Sequence, residues 1–396
     1  MVPGTSDNPS DGVERHVYEI SKRLALKGFE VINLKPSVNG SFHISSIGDS
    51  YKLVEIPVAL RESNLPMVRL NKSLQNALHF SAYKEAVTRF MRTVDTPSIT
   101  HTHGFYVFSQ SRKSRRSKRL ATFHGSVPLD MISKGQSATK ATILNSVLKH
   151  IYQKNADKWT AISPRVRSIA TNFLDIDPRD ITVTPHGVDC SYFSKRASKE
   201  EIDNINRKFK LDKPYKILFL GHLNQNKRPD ILIKAFSLLK DKKKDVQLVI
   251  RSRWGDYYKE TLRLIRYFEV QDMVKLITQP VYGPEFRALY QTSYAFINTY
   301  TNLTGYSTAL LEAMASGVPP IISKGSNEDV VDESTGIILK NLSPISVANS
   351  IRSLMEDEKY ANKLGQNAVR KMSTTFDWDN VVVPKYVSVY KELLEQ

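Results

Sequence analysis

The chain is expected to fold as an α/β protein with two parallel, doubly wound sheets. Short apolar runs, Ile217 to Leu220 (ILFL), Gln247 to Ile250 (QLVI), Ala295 to Asn298 (AFIN) and Pro320 to Ile322, alternate with helical segments such as DILIKAFSLLK and GPEFRALYQ. Strands that alternate with helices pair in parallel, because a parallel pair needs a long crossover. At 396 residues and 41% hydrophobic, the chain is too long for one typical core and calls for two domains. The strand and helix rhythm lapses between Cys190 and Pro214 and restarts at Lys216. This divides the chain into an N-terminal domain, 1–190, a polar linker, 191–214, and a C-terminal domain, 215–375.

The elements follow from local signals. In VERHVYEISKRLALK, Val13, Val17, Ile20 and Leu24 recur at helical spacing, with Gly28 as the stop. Ser163-Pro164 supplies an N-cap and a first-turn proline to the helix VRSIATNFL. The run TGYSTALLEAMASGVPPIIS, from Thr304 to Ser323, reads as a helix apolar nearly all round followed by a strand. Its one acid, Glu312, needs a partner there.

Composition narrows the function. Lys and Arg number 57 against 40 Asp and Glu, a formal net charge of +17 that implies an anionic partner. Cys190 is the single cysteine, which excludes an internal disulfide and a thiolate zinc cluster. No run of eighteen apolar residues appears, and MVPGTSDNPSDG has neither a basic n-region nor an apolar h-region. A cytoplasmic protein is the expectation, with a peripheral place on the inner face of the membrane as a second reading.

In a doubly wound sheet, ligands gather at the carboxyl ends of the strands. The loops expected there are SDGVERH, HTHG, FHGSVP and TPHGVD in the first half, then GHLNQNKRP and TNLTGYS in the second. They carry glycines, imidazoles and cations. Gly305 and Ser307 fall at the N-terminus of the Glu312 helix, where amides and dipole favour a phosphate.

The ordered set DGVERHVYEISKRLALKGFEV, TFHGSVP, NADKWTAISP, TPHGVD, GHLNQNKRPDILIKAF and TGYSTALLEAMASGVPPII resembles the family 4 glycosyltransferases, over almost the whole chain. The resemblance implies the GT-B fold, two Rossmann-like domains facing across a cleft, with the last helix, 384–396, packing back on the first domain. It implies a retaining enzyme that moves a hexose-type sugar from a UDP- or GDP-sugar to a glycan, glycolipid or lipid-linked acceptor. In such enzymes a glutamate matching Glu312 accepts hydrogen bonds from the nucleotide ribose, a job suited to a carboxylate facing two vicinal hydroxyls. Lys227 matches the lysine that neutralises the diphosphate, His124 the histidine beside the donor sugar, and Gly12 the loop near the diphosphate. Gly221, Arg228, Tyr306 and Thr308 complete the expected donor-binding set with Thr304, Gly305 and Ser307.

Four departures stand out. Thr304 occupies the place of the family's first glutamate, seven residues before Glu312. His222 replaces an arginine five residues before Lys227 and is expected to act with Lys227 and His124 in catalysis, if a diphosphate promotes its protonation. IRSRWGD, with Arg251 and Arg253, replaces a glycine-rich loop. Only Met1 and Val2 precede Pro3, where the family has a strand, so an apolar strand upstream of Met1 is expected. Thr304 and His222 keep a second reading open, an inactive scaffold of the same fold.

Departure of a nucleoside diphosphate builds negative charge on phosphate, so cations and helix amides are the main need and no metal or other cofactor is expected. For His101, His103 and His186, hydrogen bonding in loops or core stands beside a role in the site, and no pair has convincing metal spacing. Ser111 to Arg119, SRKSRRSKR, holds six basic residues. With the helix KATILNSVLKHIYQKNADK, which sets Ile143, Val147 and Ile151 on one face, the stretch Arg112 to Arg119 suits an anionic membrane surface, and equally a solvated basic loop beside a helix packed on the core. No nucleic acid is expected, since neither interleaved aromatics nor a recognition module accompanies the charge.

Overall fold

A computed structural model of the chain describes residues 12–37, 42–46, 48–57, 82–93, 98–104, 117–125, 138–242, 245–252, 255–300 and 306–395. They fall into two compact units. One takes the described residues up to His186 and those from Val381 on, and the other is Gly187–Asn380.

In the first unit, strands β1 (Val31–Ser37), β2 (His43–Ser46) and β3 (Tyr51–Pro57) form a sheet of order β1-β3-β2. Strands β4 (Ile99–His103), β5 (Lys118–Phe123), β6 (Lys158–Ala161) and β7 (Ile181–Val183) form a second, all-parallel sheet in sequence order. The expected first helix spans Gly12–Leu26, with Val17, Ile20 and Leu24 buried and Gly28 at φ +88° ending it. Ser163 caps Pro164–Leu174 by accepting from the amide of Val166 at 3.0 Å. The last helix, Val383–Glu395, belongs to this unit and buries Tyr386, Val389, Tyr390 and Leu393. No helix among the described residues is long and apolar enough to cross a membrane.

The second unit is one six-stranded parallel sheet, order β10-β9-β8-β11-β12-β13. Its strands are β8 (Tyr215–Leu220), β9 (Val246–Arg251), β10 (Val274–Ile277), β11 (Ala295–Asn298), β12 (Pro320–Ser323) and β13 (Ile337–Leu339). Ile217, Leu218 and Phe219 are at most 1% exposed, so both faces of the sheet are covered, as parallel sheets require. Helices Pro229–Ser237 and Pro344–Glu356 contribute to one layer of core, Gly283–Gln291 and Thr308–Ala315 to the other.

Two expectations need correcting. Residues 191–214 are not a linker: they hold a helix, Lys199–Phe209, opened by a Ser198 and Glu201 capping box. Ile205 is fully buried, Ile202 and Phe209 are half-buried, and Glu201 and Lys208 pair with Arg287 and Glu285 at 3.1 and 2.8 Å. The charges form the outer face of an amphipathic helix. The basic stretch is also shorter than expected, because Arg119 lies inside β5, 4% exposed, and grips the Asp157 carboxylate at 2.9 and 3.1 Å. Arg112 to Arg116 lie outside the described residues, as do the side chains of Ile143 and Val147, whereas Ile151 packs on the core.

The second unit is closed where its chain enters and leaves. Val188 donates to the carbonyl of Phe376 at 2.8 Å, Trp378 donates to Val188 at 3.1 Å, and the Trp378 ring lies on Gly187. A β-carbon on Gly187 would overlap Trp378 Cδ2 and stand 2.6 Å from Cε2. Gly187→Ala is therefore expected to destabilise the unit by about 1–3 kcal/mol, as overpacked cores do. Calorimetric melting measures it, and an unchanged melting temperature would contradict the packing.

Candidate functional site

The parallel sheets deliver polar loops to their carboxyl ends, and each unit presents one cluster. In the second unit the loop after β8 starts at Gly221, with φ +155° and its amide donating to the Arg251 carbonyl at 3.2 Å. A β-carbon there would stand 2.7 Å from the Tyr300 hydroxyl and 3.7 Å from Lys227 Nζ, so only glycine lets the loop lie this close. Asn224 caps the short turn Gln225–Lys227 by accepting from the Lys227 amide at 3.2 Å. The Lys227 carbonyl accepts from Thr299 at 2.6 Å, which ties the loop to the end of β11.

Lys227 Nζ consequently sits 2.8 Å from the centroid of the Tyr300 ring. No carboxylate among the described residues pairs with it. Withdrawal from water pushes its pKa down to about 7. Burial pushes the Tyr300 phenol the other way, so it stays protonated, with the Ser307 hydroxyl beside it.

Ser307 caps the Glu312 helix, accepting from the Leu310 amide at 3.4 Å, while its own amide donates to Asn327 at 3.2 Å. Glu312 is 4% exposed and accepts from the Tyr290 hydroxyl at 2.7 Å, which supplies the partner its surroundings demand. Thr308 opens the helix, and Tyr306 packs edge-on to Phe376 at 5.6 Å. Arg228 is engaged by Asp230 at 2.8 and 3.0 Å, and His222 is exposed. Thr304, Gly305 and Arg253 lie outside the described residues. The structure thus gathers Gly221, Lys227 and Ser307 around Tyr300, a residue that no sequence pattern singled out.

The first unit gathers histidines. His103 ends β4, His124 follows β5, His186 follows β7, and His16 lies in the first helix. His103 Nδ1 and His124 Nε2 are 2.9 Å apart, and the His16 ring lies 4.9 Å from the rings of both His124 and His186. His186 Nε2 donates to the Gly12 carbonyl at 3.1 Å, anchoring the start of the first helix. His101 bonds Tyr390 at 2.8 Å and Thr122 at 2.6 Å. Burial, followed by the neighbouring His186, holds His124 down to about 3, and burial likewise keeps His16, His101 and His103 well below the usual imidazole range. His16 and His124, which the spacing argument did not weigh for a metal, each bring a ring nitrogen within 4.8 Å of one another and of one on His103. Their separation in sequence concealed this.

Comparison with known proteins agrees with this layout. Residues 10–192 match the model for Glycosyltransferase Family 4, and residues 200–371 match that for Glycosyl transferases group 1. An uncharacterized glycosyltransferase of Methanocaldococcus jannaschii is 26% identical over 390 residues, covering 97% of this chain and 95% of that protein. Sucrose-phosphate synthase from Thermosynechococcus elongatus superimposes with a TM-score of 0.79 at 18% identity, over 98% of this chain and 95% of the other. The Anabaena protein HepE, solved with UDP and glucose, gives 0.72 at 13% identity over 98% of each chain.

Lys227 carries a testable stability signature. Its pKa is about 7 in the folded protein against 10.5 ordinarily, so between these values the unfolded chain binds more protons and stability rises with pH. Lys227→Met is therefore expected to be more stable than the parent at pH 7, by a margin that shrinks toward pH 10. Urea midpoints of both proteins across that range measure it. An equal or lower midpoint for the variant at pH 7 would contradict the desolvation.

Proposed function

The chain belongs to the family 4, group 1 glycosyltransferases of the GT-B fold, and from that premise we propose that it is a retaining enzyme that transfers a hexose-type sugar from a UDP- or GDP-sugar. The acceptor is a glycan, glycolipid or lipid-linked sugar. The observation that carries this reading is the ammonium of Lys227, held out of water on Tyr300 without a carboxylate among the described residues, beside Gly221 and the capped start of the Glu312 helix. A cation and helix amides together suit a diphosphate. HepE's UDP and glucose favour a nucleotide-sugar donor in the same fold.

In the mechanism, Lys227 and the amides at the start of the Glu312 helix stabilise the charge that builds on the diphosphate as the anomeric bond breaks. Glu312 takes the ribose hydroxyls, with Tyr290 holding its second oxygen in place. His124, kept neutral, serves the donor sugar. The acceptor hydroxyl enters on the face the diphosphate leaves, and the departing phosphate takes its proton, so configuration is retained without a dedicated base. Thr304, which stands where the family has a glutamate, supports a second reading as an inactive scaffold.

Nucleotide sugars screened by thermal shift, then assayed for transfer in EDTA with the product anomer read by NMR, separate the two readings. Retained configuration in a metal-free reaction is expected, and neither transfer nor donor hydrolysis with any donor would favour the scaffold. Glu312→Ala is expected to weaken free UDP or GDP and every accepted sugar donor alike, by about 1–3 kcal/mol. Parent-like titration curves for that variant would remove Glu312 from the nucleotide site.

A further inference from the structure

We propose that His16, His103 and His124 form a binding site for one transition-metal ion of the zinc class. Five of the chain's nine histidines meet in this cluster, with the His101 ring 4.2 Å from that of His103 and the His186 ring edge-on to that of His16 at 4.9 Å. One ring nitrogen from each of the three central residues lies within 4.8 Å of the others. His103 Nδ1 and His124 Nε2 already face each other at 2.9 Å. Two nitrogens on a tetrahedral ion, with bonds of about 2.0–2.1 Å, sit roughly 3.3 Å apart, so this pair opens by only a few tenths of an ångström. His16 bonds the Tyr386 hydroxyl through Nε2 at 3.0 Å, a hydrogen bond of the kind that orients metal-binding imidazoles.

The donor set selects the ion. Three imidazoles without a carboxylate or thiolate suit zinc, cobalt, nickel or copper and not magnesium or calcium. Three protein ligands leave a fourth position open. Binding stands independently of the reaction. Its consequence rests on the proposed function: an ion that takes His124 removes it from the donor sugar, so the metal inhibits a transfer that itself needs none.

The test uses untagged full-length protein, stripped with chelator and titrated with cobalt(II). One equivalent is expected to bind with the intense visible absorption of four-coordinate cobalt, and zinc(II) should bleach it. His103→Gln should abolish this spectrum. Tyr386→Phe, which keeps the ring in place, should weaken the affinity about 10–100-fold. His150→Asn, at an exposed histidine, should match the parent. Should His103→Gln not fold, X-ray absorption of the zinc-loaded parent decides, with three imidazole nitrogens expected. A weak six-coordinate cobalt spectrum, binding that is not stoichiometric, or equal loss in His150→Asn would overturn the site. Tight four-coordinate binding that leaves transfer unaffected would uphold the site and remove His124 from the reaction.

Discussion

Parallel pairing is the constraint from which both clusters follow. Strands that run side by side in one direction bring all their carboxyl ends to one edge of the sheet, and each return must be made by a crossover. In the first unit β4 and β5 pair with His103 opposite Thr122, so His124, two residues beyond Thr122, lies beside His103. In the second unit β8 and β11 pair through Ile217 and Ala295, which places the loop from Gly221 to Arg228 beside Thr299 and Tyr300. The hydrogen bond from Thr299 to the Lys227 carbonyl is a product of that register.

The two edges handle charge in opposite ways. The first crowds imidazoles out of water, where burial favours the neutral form of His16, His101, His103 and His124. The second places an ammonium against an aromatic face and a carboxylate inside a helix, both expensive unless partnered. Tyr290 answers for Glu312 within the protein. Lys227 has no such answer among the described carboxylates, and in the function proposed above the anionic donor supplies it.

Much of this was legible in the sequence because the deciding signals are local. Gly28, the Ser163-Pro164 cap and the four apolar runs each specify their own element, and all appear where the pattern places them. Glu312 was conspicuous because a carboxylate among Ala, Leu and Met must find a donor. The helix Lys199–Phe209 was hidden by its charge, since its inward positions, Ile202, Ile205 and Phe209, are few among lysines and glutamates. Strands β10 and β13 are only four and three residues long, too short to display a period. Tyr300, Tyr290 and His16 are recognisable only from what they touch, through contacts that span from 22 residues for Tyr290 to 370 for His16.

That Lys227 is the cation awaiting a phosphate is tested most directly by the protons exchanged on binding. At pH 8 a UDP diphosphate is already fully ionised, its last pKa being about 6. Lys227, with a pKa near 7, is then mostly neutral, and an adjacent diphosphate raises it. Isothermal titration of UDP in buffers of different ionisation enthalpy should therefore register uptake of about one proton per UDP bound by the parent, and almost none by Lys227→Met. Binding without proton uptake by the parent, or the same uptake by both proteins, would contradict the account.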